Sequence, residues 1–115
     1  MIHINTSFEI SRLLSQQQSI GRPYLEFLRV PALSAGIYVL KAGGEDKQQP
    51  HAEDEIYYVV SGRAQFRVVE NGAARDQYVA PGTILYVPAH AEHRFHDISE
   101  DLAVLVLFAP AESSM

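Results

Sequence analysis

From residue 24 to residue 108 the chain is a succession of short apolar runs, each stopped by glycine, proline or a polar turn. The runs are 24–30, 33–41, 55–60, 64–70, 75–79, 83–87, 93–98 and 102–108, and Val, Ile, Leu, Tyr and Phe dominate most of them. Such residues suit a pleated surface, and runs of this length match strands better than helices. Asn71-Gly72 sits between two of them. Both residues tolerate positive φ, so the pair predicts a two-residue hairpin turn. Eight strands at regular spacing predict an all-β sandwich or barrel. One segment differs. Phe8, Ile10, Leu13 and Leu14 are spaced for one helical face, with Ser7 placed to cap the start and the polar 16–19 to end it before Gly21 and Pro23.

Two of the runs, 56–60 and 102–108, are apolar at every position. A sheet with one solvated face alternates, so these strands are expected to be covered on both sides. The barrel interior accounts for one side. The N-terminal helix or a second subunit would cover the other, and a homodimer is the preferred account.

With 115 residues, one domain over 1–115 is expected. Nine basic against 14 acidic residues give a net charge of −5, which argues against nucleic acid or an anionic membrane as a partner. There is no cysteine, which excludes disulfides, thiolate metal sites and a cysteine nucleophile. Residues 1–8 lack the basic start and apolar stretch of a signal peptide, and the apolar run 102–109 falls far short of the ~20 residues that span a bilayer. A cytoplasmic protein is the expectation, with residues 111–115 frayed.

The chemistry concentrates in two stretches. In the first, 43–62, Gln49 and His51 are two apart and would share a strand face. Glu55 leads an apolar strand, an unusual place for a carboxylate unless it is solvated or bound to something. The second, 81–97, holds His90, His93 and His96.

These stretches resemble the two motifs of the cupin superfamily. Gly43, Gln49, His51, Glu55 and Gly62 keep the spacing of the first motif (43–62), with Gln49 in place of its first histidine. Gly82, Pro88, His90, His93 and Asp97 keep that of the second (82–97), with His90 for a turn glycine and Asp97 for an asparagine. The resemblance implies a single-domain cupin, a jelly-roll or double-stranded β-helix barrel, here with a short N-terminal helix. It also implies a metal site formed by Gln49, His51, Glu55 and His93. Imidazole, carboxylate and amide donors without thiolates suit Fe, Mn, Zn or Ni. The set Gln-His-Glu-His is similar to the zinc ligands of cupin-type phosphomannose isomerases.

Tyr57, Val59 and Phe95 share strand parity with the ligands and are expected to line the cavity, with Tyr57 the candidate hydrogen-bond donor to a substrate. Tyr24 and Tyr38 lie on strands that reach the cavity mouth, with their direction left open. His96 has the opposite parity to His93 and is expected to face outward, His90 to occupy a surface turn, and 45–47 to be a solvated loop. Two functions follow. One is a metalloenzyme using a divalent ion as Lewis acid or oxygen-activating centre on a small oxygen-rich molecule. The other is a barrel that binds metal or a small ligand without turnover, as a sensor or accessory protein.

Overall fold

The computed structural model describes residues 6–113. Six antiparallel strands follow one helix: α1 (Ile10–Ile20), β1 (Tyr24–Val30), β2 (Leu33–Leu40), β3 (Asp54–Glu70), β4 (Ala73–Val79), β5 (Ile84–Val87) and β6 (Glu92–Ala109). Their order is β1-β2-β6-β3-β4, with β5 paired to the first part of β3.

The eight expected strands become six because β3 and β6 each run through a segment that reads as a terminator. Ser61-Gly62 and the polar 99–101 lie inside strands, and the β3–β6 register shifts three times between Val59 and Gln65. Such bulges bend a strand without ending it. Gly62 adopts φ 93°, and a Cβ there would overlap the Asp101 carbonyl oxygen. Only glycine lets the two long strands cross so closely at the bend. Asn71 and Gly72, at φ 52° and 77°, form the expected tight turn between β3 and β4.

Bending puts alternate residues of the long strands into one interior. Glu55, Tyr57, Val59, Phe66, His93 and Phe95 are all buried. Tyr57 meets Phe66 and Phe95 edge to face, at 5.8 and 5.1 Å between centroids, and Phe66 and Phe95 pack tilted at 4.8 Å. Tyr57, Val59 and Phe95 thus lie inside, as strand parity predicts.

The helix starts later than expected. Glu9 is its N-cap residue and supplies no side-chain cap, while Gly21 at φ 71° ends it. Phe8 sits outside it, against Phe27 at 4.8 Å. The polar stretch 16–19 stays helical, because a solvent-facing side needs no apolar residues. The helix packs on β1 and β2 through Leu13. It does not reach the outer face of β3, β5 and β6, where Ile56, Tyr58, Ile84, Tyr86 and Leu107 are exposed. Among the described residues, no helix is long and apolar enough to cross a membrane.

Candidate metal centre

His51, Glu55 and His93 each offer a donor atom, and these atoms lie within 4.8 Å of one another. Glu55 begins β3 and faces inward between Val87 of β5 and Phe108 of β6. His93 begins β6, opposite Val68 near the far end of β3. The bend in the two strands therefore joins residues from opposite ends of one ladder: His93 Nε2 stands 3.3 Å from Glu55 Oε1. His51 arrives from the irregular segment before β3. Its carbonyl accepts a 2.6 Å bond from the His90 amide, and its ring stacks edgewise on Phe108 at 4.9 Å.

The donor set is pre-arranged for a cation. Nδ1 of His93 donates to the Ala91 carbonyl at 2.9 Å, which leaves the lone pair on Nε2. That nitrogen and both Glu55 carboxylate oxygens are buried and make no hydrogen bond. Unpaired buried polar atoms cost ~1–3 kcal/mol each, more when charged, so three around one point call for a partner. A divalent ion matches them by charge and by donor type. Burial acts to lower the His93 pKa, but Glu55 and the Ala91 carbonyl outweigh it and carry it above the ordinary 6.5. Without a cation, the site attracts a proton instead.

The glutamine at the cavity is Gln48. The segment before β3 is not a strand, so the expected same-face relation of Gln49 and His51 does not arise, and Gln49 is exposed. Gln48 Oε1 lies 3.4 Å from His51 Nε2 and accepts a 3.0 Å bond from the Tyr57 hydroxyl, while its amide donates to Asp46. Tyr57, the expected substrate donor, thus turns its hydroxyl to Gln48. Burial, with Glu55's charge next, pushes this phenol's pKa well up, so it stays a donor.

Asp46 corrects the reading of 45–47 as a solvated loop. It is buried and accepts from the Tyr38 hydroxyl at 2.7 Å, the Phe95 amide at 2.9 Å, and the backbone and side chain of Gln48. It ties this loop to β2 and β6. A charge triplet in sequence carries no sign of such a role.

His90 is exposed at φ 70°, in the left-handed conformation of the glycine it replaces. His96 faces outward as expected, with Nε2 at 2.9 Å from Asp76 and Nδ1 at 3.0 Å from Asp97.

Residues 111–113 do not fray. The Glu112 amide donates to Ser34 Oγ, its carbonyl accepts from Arg29, and both the amide and hydroxyl of Ser113 donate to the buried Glu53. Glu112 Oε2 comes to 3.2 Å from His51 Nδ1, without the angle of a hydrogen bond. Residues 114–115 lie outside the described residues. Tyr24, Tyr38, Gln48, His51, Phe108 and Glu112 line a cavity of about 170 Å³ that reaches the triad at His51. That is below the ~300–1,000 Å³ of drug-sized sites, so it suits a small molecule.

A bent antiparallel barrel with a histidine–glutamate–histidine cluster at one mouth defines the class. Residues 36–109 match the family model described as Cupin domain, and the chain belongs to the cupin family. It is 49% identical over 107 residues to an uncharacterized protein of Streptomyces coelicolor, covering 93% of this chain and 98% of that one. A 45-residue stretch, 39% of this chain, is 42% identical to the acireductone dioxygenase of Rhodopseudomonas palustris but spans only 27% of that enzyme. Among solved structures, the oxalate decarboxylase of Bacillus subtilis, studied for its Mn(II) centers, superposes with a TM-score of 0.68 at 20% identity. The superposition covers 79% of this chain and 28% of that one, and shows a shared fold.

Proposed function

We propose that His51, Glu55 and His93 hold a divalent metal ion and that the protein is a metalloenzyme for a small, oxygen-rich substrate. The observation that carries this reading is the convergence of unpaired buried donors, Glu55 Oε1 and Oε2 and His93 Nε2, with His51, which lines a small cavity. One stretch resembles a dioxygenase, and the fold is shared with an oxalate decarboxylase that has Mn(II) centers, which supports this reading.

Bound there, a divalent ion supplies Lewis acidity toward a substrate oxygen, and iron or manganese adds the capacity to activate dioxygen. The chain's own residues set the rest. Ala91 fixes the His93 tautomer, and the Glu112 carboxylate lies 3.2 Å from His51 Nδ1. Gln48, held by Tyr57 and Asp46, presents its amide oxygen as a further neutral donor. Glu55 supplies the negative charge that compensates the ion. Tyr57 acts through Gln48 as a positioning residue. Iron, manganese, zinc and nickel all fit this donor set.

The exposed apolar face of β3, β5 and β6 supports pairing of two subunits. Ile84 and Tyr86 are 66% and 62% exposed and adjoin Tyr58 and Ile56 across the ladder. One continuous patch could serve both subunits of a symmetric dimer.

The test is ligand exchange on protein loaded with Mn(II), followed by water-proton relaxation during titration with oxalate. A fall in relaxivity as oxalate displaces bound water supports a reactive centre. Loaded protein whose relaxivity stays that of a closed site leaves a metal-binding barrel without turnover.

A further inference from the structure

Three phenols approach the cavity. Tyr38 donates to Asp46 and Tyr57 to Gln48, but the Tyr24 hydroxyl is buried without a hydrogen-bond partner. Its position is built. Tyr24 pairs with Tyr38 across β1 and β2, and its ring reaches diagonally over Gly36, two residues along. A Cβ at position 36 would overlap Cζ and Oη of Tyr24. Glycine inside a strand is destabilising, so its presence under the phenol tip marks a place kept for that tip.

Beyond Tyr24 lies an outer recess of about 220 Å³, and Tyr24 and Glu112 border both it and the inner cavity. Among the charges acting on the Tyr24 phenol, that of Glu112 is the largest. Burial and these carboxylates push its pKa up, so the group stays a donor. Tyr24 thus offers a neutral donor and Glu112 a carboxylate acceptor on the wall shared by the two cavities. A methyl group leaves the phenol unpaired. A carboxylate is repelled by Glu112. Of the three, only a hydroxyl can both accept from Tyr24 and donate to Glu112.

We propose that Tyr24 and Glu112 form a hydroxyl-recognition subsite, selecting small chelating ligands that carry an alcohol away from their metal-binding end. Gly36 holds Tyr24 in place for this. The inference rests on the metal reading above and deepens it.

The test uses two acids with the same chelating 2-hydroxy-carboxylate end: lactate and glycerate, whose third carbon is a methyl and a hydroxymethyl. Each is titrated calorimetrically into protein loaded with Mn(II), the loading being measured separately by elemental analysis. Wild type is expected to bind glycerate about five-fold or more tighter than lactate, the size of one buried neutral hydrogen bond. Tyr24→Phe is expected to keep the metal and lose the glycerate preference. Gly36→Ala, which leaves the phenol intact but whose Cβ would push the phenol tip aside, is expected to do the same. Full loading with equal affinity for lactate and glycerate, or a preference that survives Tyr24→Phe, overturns the subsite and leaves the metal reading standing. Failure to take up metal overturns both, and the elemental analysis identifies it.

Discussion

Glu55 Oε1 and His93 Nε2 stand 3.3 Å apart inside the barrel, and neither atom makes a hydrogen bond. They begin two different strands, and the bulged bend between Val59 and Gln65 brings them together. In metal-free protein this arrangement opposes stability, since a buried carboxylate lacks the partners it needs. At a pH where His93 is neutral, Glu55→Gln is therefore expected to stabilise chelator-treated protein by about 1–2 kcal/mol while abolishing metal uptake. Urea denaturation of both proteins, with and without metal, measures the two effects. A variant destabilised in the metal-free state would contradict the argument.

Gln48 and Gln49 separate cleanly. Gln49 is exposed, whereas Gln48 reaches His51, Tyr57 and Asp46. Gln49→Ala should leave metal affinity within experimental error. Gln48→Ala should weaken it by about ten-fold, the lower range for losing a residue that supports metal ligands. Competition against a fluorescent chelator reads both.

The comparison of sequence with structure turns on the same pair. The resemblance to the cupin motifs singled out His51, Glu55 and His93, whose donor atoms do come together, and turn chemistry made the hairpin at Asn71-Gly72 legible. Strand parity placed His96 outside and Tyr57 inside. Gln48 was not legible, because parity assigns faces only within a regular strand and the segment before β3 is irregular. Asp46 lies in the same irregular segment, and its partners Tyr38 and Phe95 come from β2 and β6, which no local pattern connects to it. Ser61-Gly62 reads as a strand end because a bulge and a turn use the same residues.

His93 gives the metal-free protein a defined pH response. Its folded pKa is raised, so its contribution to stability is fully present below about 6.5, the ordinary histidine value, and is lost as pH rises through the folded value. Thermal melts of chelator-treated protein should show stability declining from pH 6.5 upward, with a smaller slope in His93→Asn. Loaded protein should respond in the opposite sense, losing metal toward acid pH as protons compete for the same nitrogen. Equal slopes for wild type and His93→Asn would remove His93 from this account.

Asp46 anchors the loop that carries Gln48 and leads into His51. Asp46→Ala removes the acceptor for the Tyr38 hydroxyl and the Phe95 amide, and should cost about 2–4 kcal/mol. The chemical denaturation midpoint measures it. A loss below about 0.5 kcal/mol would mean that the loop is held by other contacts.

The outer patch makes a prediction about assembly. Tyr86→Lys places a charge in the proposed dimer face without touching the barrel interior, since Tyr86 is 62% exposed. Sedimentation should show a dimer for wild type and a monomer for the variant, with metal content unchanged. A monomeric wild type would leave the patch without this role.

The most direct test of the metal centre is elemental analysis of untagged protein, wild type beside Gln49→Ala and His93→Ala. The account predicts about one equivalent of iron, manganese, zinc or nickel per chain in wild type and Gln49→Ala, and none in His93→Ala. Wild-type protein that holds no metal, even after incubation with each ion, would contradict it.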